Sequence, residues 1–98
     1  MELLRTPEFY TWKATLDEKG QAQVDSRLYR IREYDHFGDC RNLGNDLFEL
    51  KWKSGRRVYY SVIERSNGEV ALLLLGGDKN GQDRDIKQAR KILERETA

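Results

Sequence analysis

The stretch Glu69-Val70-Ala71-Leu72-Leu73-Leu74-Leu75 decides the fold, because it holds the longest apolar run of the chain. A strand with one solvated face alternates apolar and polar residues, whereas a near-continuous apolar run is typical of a strand covered on both faces. Ser66-Asn67-Gly68 comes directly before it and is a strong β-hairpin signal. Gly76-Gly77-Asp78 comes directly after it and is expected to break the strand. Residues 69–75 therefore predict a central strand of a sheet.

Three further strand patterns lie upstream of this run. Residues 56–64 are rich in Val, Tyr and Ile, which strands favour. Residues 47–53 alternate between apolar and charged side chains, and residues 39–43 form a short candidate strand. The alternation places Phe48, Leu50 and Trp52 on one face and Glu49, Lys51 and Lys53 on the other. Turns are expected at Gly44-Asn45-Asp46 and at Ser54-Gly55, so these strands pair as successive hairpins.

Helical periodicity appears before these strands. Thr6 followed by Pro7 is typical of a helix start, and it predicts a helix over residues 7–19 that ends at Gly20. A second helix is predicted over residues 21–34. The expected inward positions are Phe9, Trp12 and Leu16 in the first helix and Val24, Leu28 and Ile31 in the second. Two amphipathic helices joined by a tight turn indicate a helical hairpin.

A last helix is predicted over residues 82–95, with Ile86, Ala89 and Leu93 on its apolar face. With a short extended segment at Glu2–Arg5, the order of elements becomes β-α-α-β-β-β-β-α. The predicted fold is α+β: an antiparallel sheet with an N-terminal helical hairpin and a C-terminal helix. The length of 98 residues fits a single domain over residues 1–98.

Charge is distributed unevenly along the chain. The formal net charge of +1 argues against a strong nucleic-acid binder, yet residues 41–65 carry six Lys or Arg against three Asp or Glu. A local basic patch matters more to a polyanion than the sum over the molecule. No stretch approaches a membrane helix, the N-terminus lacks the layout of a signal peptide, and Cys40 is the only cysteine. We therefore expect a cytoplasmic protein without a membrane partner.

The basic residues of the middle strands form the candidate site. Lys51 and Lys53 share one strand face, and Arg56-Arg57 begin the next strand across a tight turn. Cross-strand neighbours lie about 4.5–5.5 Å apart, so the lysines and one of the arginines are expected to converge. Tyr59 or Tyr60 would add an aromatic face, and this combination suits RNA. The alternative is a solvated outer face whose lysines deter edge pairing.

Other chemistries have little support in the sequence. With one histidine, His36, and one cysteine, the usual zinc site is excluded, and no cofactor is implied. There is no Ser-His-Asp set with a spare histidine, and no Walker-type loop. Asp78, Asp83 and Asp85 precede or begin the last helix, where they complement its dipole. A Mg²⁺ site there is the alternative.

An ordered set of motifs runs over nearly the whole chain. The motifs are Phe9-x-x-Trp12, Arg27-Leu28-x-Arg30-Ile31, Gly38-Asp39-Cys40-Arg41, Leu47-Phe48-Glu49-Leu50-Lys51, Arg57-Val58-Tyr59-Tyr60, Leu74-Leu75-Gly76-Gly77-Asp78-Lys79 and Gln82-Asp83-x-Asp85-Ile86-x-x-Ala89. The ordered set, rather than any one motif, resembles the RelE/ParE toxin superfamily, in its HigB-like branch of addiction-module killer proteins.

The resemblance implies a RelE-like fold and a type II toxin that a small helix-turn-helix antitoxin neutralises. It implies cleavage of messenger RNA on the ribosome, without metal, by the attack of the RNA's own 2′-hydroxyl on the adjacent phosphate. It also implies that the toxin–antitoxin complex binds operator DNA through the antitoxin. We expect the antitoxin to cover the basic sheet face or to wrap the helical hairpin at Phe9 and Trp12.

Matching the motifs residue by residue gives each basic position a role. The catalytic candidates are Arg57, Lys51, Glu49 and Lys79, and the RNA-binding candidates are Arg41, Lys53, Arg56, Tyr59 and Tyr60. Arg57 is the best candidate, because a guanidinium can hold two phosphate oxygens at once. Glu49 is either a general base or a partner that holds Lys51.

Two other functions remain open at this point. ParE-like relatives share the fold but inhibit DNA gyrase, so the fold alone does not decide between the two activities. The third hypothesis is a non-catalytic binding module, such as a toxin relic or a phage regulator.

Overall fold

The computed structural model describes residues 1–98 and contains five strands, three α-helices and one short 3₁₀ turn. The predicted order β-α-α-β-β-β-β-α is confirmed. The elements are β1 (Glu2–Arg5), α1 (Pro7–Ala14), α2 (Glu18–Tyr34), β2 (Cys40–Gly44), β3 (Leu47–Lys51), β4 (Arg56–Arg65), β5 (Gly68–Asp78), the 3₁₀ turn Lys79–Gly81 and α3 (Gln82–Thr97). None of the helices is long and apolar enough to span a membrane.

The strands form one sheet in the order β1-β5-β4-β3-β2, so the apolar run of β5 lies inside the sheet as predicted. Two expectations about this sheet were wrong. The sheet is mixed rather than antiparallel, because β1 pairs with β5 in parallel, from the opposite end of the chain. β5 also continues through Gly76 and Gly77, which pair with Val58 and Arg57 of β4. A glycine can stay in a strand where a neighbour packs against its backbone, and both of these glycines have such a neighbour.

Each face of the sheet carries a separate apolar cluster. On the hairpin face, α1 and α2 cover Leu50, Val58, Tyr60, Ala71 and Leu73 with Phe9, Val24, Leu28 and Ile31. On the α3 face, Ala89 and Ile92 cover Leu47, Tyr59, Leu72, Leu74 and Leu75. The prediction that β5 is covered on both sides is thus confirmed, and the neighbouring strands β3 and β4 are covered as well.

The helical hairpin is present with different bounds from those predicted. Thr6 caps α1 as expected, since its Oγ1 accepts from the Phe9 N–H at 3.1 Å. α1 ends at Ala14, however, and α2 begins at Glu18, so Gly20 lies in the first turn of α2. The reason is Asp17, whose carboxylate accepts from the Gly20 N–H at 2.7 Å and caps α2.

Candidate functional site

The pairing of the strands brings the predicted cations together on the α3 face. Lys51 of β3 lies opposite Arg57 of β4, and Arg57 lies opposite Gly77 of β5. Glu49, two residues before Lys51 in β3, lies opposite Arg41 of β2. Because residues two apart share a strand face, these side chains occupy one patch near the first turn of α3. We call Arg41, Lys51 and Arg57, with Glu49 between them, the cation site.

Glu49 is the buried centre of this site. Its side chain has no exposed surface, and its Oε1 lies 3.4 Å from Arg41 Nη2 and 3.7 Å from Arg57 Nε. Its Oε2 accepts a 2.6 Å hydrogen bond from Gln82 Nε2 of α3. A buried carboxylate is stable only when it is paired and hydrogen-bonded. The two arginines pair with Glu49 and Gln82 satisfies its Oε2, whereas its Oε1 accepts no hydrogen bond. A general base must reach the proton that it removes, so this geometry suits a partner that holds guanidinium groups.

Arg57 is held firmly and still has a donor to offer. Its side chain is 12% exposed, and its Nη1 donates to the carbonyl oxygens of Trp52 and Arg56 at 3.2 and 2.9 Å. Its Nη2 makes no hydrogen bond within the chain, and its Nε is buried without a hydrogen-bond partner. A guanidinium fixed in this way is already oriented for an anion, because little side-chain freedom is lost on binding.

The other cations of the site are more accessible. The Arg41 side chain is 51% exposed, and Lys51 is half-buried without an ion pair. Lys79 follows β5 and donates its N–H to the Gly55 carbonyl at 2.8 Å. Its methylene groups lie beside Gly55, so Lys79 sits against the turn that joins β3 to β4. Four positive groups thus gather at one end of the sheet.

Lys53 and Arg56 do not join this site, so the expectation that both lysines converge was wrong. β3 ends at Lys51, and Trp52 begins the turn, which ends the alternation of side chains before Lys53. Arg56 faces the hairpin side, where its Nη1 donates to Gln23 Oε1 of α2 at 2.8 Å. Of the two arginines, only Arg57 lies on the α3 face.

Tyr59 and Tyr60 lie on opposite faces of β4, as alternation requires, but both are buried. Burial raises the pKa of both phenols. Tyr60 stacks between Phe37 and Phe48, with ring centroids at 5.0 and 5.4 Å. The prediction that one of these tyrosines stacks on a base was wrong, because helices cover both faces of the sheet.

Phe9 and Trp12 of the helical hairpin, which were expected to contact an antitoxin, differ in how exposed their side chains are. Phe9 is fully buried in the core and touches Trp12 with ring centroids 5.7 Å apart, so Phe9 offers no surface to another protein. Trp12 is half-buried, and its indole ring lies directly on the backbone of Gly76. Phe9 as an antitoxin contact is therefore a wrong prediction, whereas Trp12 keeps an accessible part.

Gln82 had no predicted role, and Asp85 was expected to complement the helix dipole, with a Mg²⁺ site as the alternative. Asp85 is buried against the backbone of Gly77, and its Oδ1 lies 3.5 Å from Arg84 Nε. Burial raises the pKa of this carboxyl, and Arg84 opposes that rise. The signal was present in the spacing, since Gln82, Asp85 and Ala89 share one helix face. No three His, Cys, Asp or Glu side chains converge as metal ligands would.

Comparison with other proteins places the chain among known folds. No protein-family profile matches it. It is 35% identical over 95 residues to an uncharacterized protein of Haemophilus influenzae, and this match covers 94% of the chain and 92% of the relative. Identity at this level over nearly the full length of both chains shows that the two proteins belong to one family.

Three solved structures share the fold. A mutant of the Escherichia coli toxin RelE in the free state superposes with a TM-score of 0.70 at 18% identity, covering 93% of this chain and 96% of RelE. The toxin–antitoxin complex RelBE of E. coli gives 0.65 at 20% identity, covering 79% and 94%. A YoeB/ParE toxin of Agrobacterium tumefaciens gives 0.63 at 12% identity, covering 80% and 98%.

Proposed function

Because the chain has the RelE/ParE toxin fold and forms one family with the Haemophilus influenzae protein, we propose that it is the toxin of a type II toxin–antitoxin system. We further propose that it belongs to the HigB-like branch and cleaves messenger RNA on the ribosome. The observation that carries this proposal is the cation site, in which a buried carboxylate holds two arginines at the end of the sheet. Fixed cations around an open surface suit a phosphate whose charge grows during reaction.

The reaction is an internal transfer at phosphorus. The 2′-oxygen of a ribose forms a bond to the adjacent phosphorus atom, and the bond from phosphorus to the 5′-oxygen breaks. The products are a 2′,3′-cyclic phosphate and a 5′-hydroxyl. The 2′-hydroxyl loses its proton to water, and the 5′-oxygen takes one up from water. The protein's task is then to orient the phosphate and stabilise the negative charge that gathers on its oxygens.

Each residue of the cation site has a part in this scheme. Arg57 directs its free Nη2 at a phosphate oxygen, because Nη1 is already bound to backbone carbonyls. Arg41 and Lys51 add charge from the accessible side of the site, and Lys79 does so from beside the turn. Glu49 fixes the two guanidinium groups and does not itself touch the RNA.

The proposed partners are an antitoxin, messenger RNA and the ribosome. The solved RelBE assembly is a toxin–antitoxin complex, which supports an antitoxin as a partner here. We propose a helix-turn-helix antitoxin that covers the cation site or packs on the helical hairpin at Trp12, and through which the complex binds operator DNA.

Expression of the chain in a bacterium, followed by mapping of 5′ ends on messenger RNA, tests the function. We expect growth arrest and new 5′ ends within codons. Arg57→Ala is expected to reduce cleavage by about 10²–10³-fold, as removal of one donor to a developing oxyanion does. Arg65→Ala is the matched control, because Arg65 is an exposed arginine without an ion pair at the far end of the same strand.

Three outcomes would contradict the proposal. DNA damage with intact messages would indicate a gyrase inhibitor instead. Harmless expression of the intact chain would indicate a non-catalytic binding module. Equal cleavage by the Arg57→Ala and Arg65→Ala variants would show that the cation site is not the active site.

A further inference from the structure

A second basic region lies on the hairpin side of the β3–β4 turn, away from the cation site. It is an open groove of about 600 Å³ between α2 and the turn. Its basic lining residues are Lys19, Arg27 and Lys53, with Gln23 and Trp52 between them, and none of its lining residues is acidic. The groove therefore concentrates positive charge in a chain whose net charge is only +1.

None of the cations of this groove makes an ion pair. Burial lowers the pKa of Arg27, and the nearby charge of Asp39 opposes that shift. Lys19 and Lys53 are exposed and make no ion pair. Arg27 donates to the carbonyl oxygens of Lys51, Phe37 and Asp39 at 2.8, 2.9 and 3.0 Å, all of them uncharged acceptors.

Two guanidinium groups, one lining the groove and one beside it, are firmly placed. The Arg27 guanidinium lies over the Trp52 ring, 4.5 Å from its centroid, and is bound by three carbonyls. Arg56, beside the groove, is held by Gln23, a neutral partner. Two oriented guanidinium groups with two exposed lysines beside them are suited to an extended anion.

We propose that this groove is a second anion-binding surface and that it takes the phosphodiester backbone of RNA. Lys51 joins the two surfaces, because its side chain lies on the α3 face while its carbonyl accepts from Arg27. An RNA strand that crosses the β3–β4 turn would therefore meet cations on both sides. The assignment to RNA rests on the proposed function, whereas the basic lining of the groove, which holds no acidic residue, does not depend on it.

The chemistry of the groove favours a nucleic acid over an acidic protein. Protein interfaces are anchored by accessible aromatic and apolar side chains at their centre. The exposed large apolar residues of this chain are Tyr10, Tyr29 and Tyr34, and none of them lines the groove. Trp52 is covered on one ring face by Arg27. The accessible groups of the groove are therefore its basic side chains, which complement the regularly spaced negative phosphates of RNA.

Binding of a labelled 2′-O-methyl RNA of about 20 nucleotides, longer than a single binding site on a small domain, tests the groove. The 2′-O-methyl groups prevent cleavage, so the intact wild-type chain can be used. Fluorescence anisotropy over a series of salt concentrations compares Lys19→Ala/Lys53→Ala with Lys87→Ala/Lys91→Ala. The second pair removes two exposed lysines without ion pairs from α3, so both variants lose the same charge.

We expect Lys19→Ala/Lys53→Ala to weaken binding roughly tenfold and to lower the salt slope by about 1.4, since each phosphate contact on a single strand contributes about 0.7. The control pair should bind as the wild type does. Equal weakening by both pairs, or no binding by the wild type, would overturn the proposal. So would a labelled poly-glutamate whose binding depends on Lys19 and Lys53 more than RNA binding does.

The test separates this inference from the proposed function. If the wild type cuts no message but the two variants differ in RNA binding as expected, the RNA-binding groove is supported and the proposed nuclease activity is contradicted. If cleavage depends on Arg57 while the two variants bind RNA equally well, the proposed nuclease activity is supported and the RNA-binding groove is contradicted.

Discussion

Gln82 Nε2 donates a 2.6 Å hydrogen bond to Glu49 Oε2 and so joins the first turn of α3 to the buried centre of the cation site. The other carboxylate oxygen faces Arg41 and Arg57. The position of α3 on the sheet therefore fixes the carboxylate, and the carboxylate in turn fixes the two guanidinium groups. A change at Gln82 should be felt at Arg57 although these two side chains make no direct hydrogen bond.

Gln82→Ala should destabilise the protein, because it leaves Glu49 Oε2 buried without a partner. An unsatisfied buried acceptor costs about 1–3 kcal/mol, more when it is charged. Gln88→Ala on the same helix is the control, because Gln88 is exposed. Urea unfolding should show a lower midpoint for Gln82→Ala than for the wild type and an unchanged midpoint for Gln88→Ala. Equal midpoints for the two variants would show that this hydrogen bond does not stabilise the fold.

Tyr59→Phe should leave stability unchanged or raise it slightly. The Tyr59 hydroxyl is buried without a hydrogen-bond partner, and removal of such a group relieves its desolvation cost. Tyr59→Ala should instead cost about 3–5 kcal/mol, because it removes a large buried ring. Thermal unfolding of the two variants beside the wild type measures both effects.

The same variant tests the function of the aromatic positions. Because Tyr59 has no exposed surface, Tyr59→Phe should cleave messenger RNA as the wild type does. A loss of cleavage without a loss of stability would mean that the hydroxyl reaches the RNA after all.

The sequence was sufficient for the kind and order of the elements because these depend on periodicity, whereas the parallel pairing of β1 with β5 leaves no periodic signal. The six-residue run Val70–Leu75, the alternation after Leu47 and the helical spacing before Tyr34 each indicate one kind of element. Element ends were less accurate where two local signals compete, as Asp17 and Gly20 do at the start of α2.

The candidate site was predicted only in part, for a different physical reason. Alternation correctly placed Glu49 and Lys51 on one face, but it left open which of Arg56 and Arg57 joins them, and it does not say what covers that face. α3 begins 33 residues after Glu49 and buries both Glu49 and Tyr59. Such distant packing decides whether a strand residue is exposed or covered by a helix, so the expectation that either Tyr59 or Tyr60 would be exposed was wrong.

The contact between Trp12 and Gly76 should make Gly76→Ala costly. A Cβ at residue 76 would overlap the Trp12 indole ring, so the ring or the strand must shift. Overpacking of this kind costs about 1–3 kcal/mol. Urea unfolding of Gly76→Ala, Trp12→Ala and the double variant forms a cycle. The cost of Gly76→Ala should shrink when the ring is absent, and a cost unaffected by Trp12→Ala would contradict this explanation.

The bidentate pair between Arg95 and Glu8 should make stability depend on pH at the acid end. Arg95 Nη1 and Nη2 donate to Glu8 at 2.6 and 2.9 Å and lower the pKa of Glu8 to about 2 from its ordinary value of 4.5. A carboxyl whose pKa is lower in the folded state stabilises fully above 4.5, and this contribution is lost as pH falls from 4.5 towards 2. Glu8→Gln should therefore lower Tm at neutral pH, and the difference from the wild type should vanish in acid. The effect should be small and weaken with salt, because the pair is exposed.

Glu64→Gln is the control for this prediction, because Glu64 is an exposed glutamate without an ion pair, and this variant should match the wild type at every pH. A Tm difference for Glu8→Gln that persists unchanged at pH 2 would show that the ion pair is not its cause.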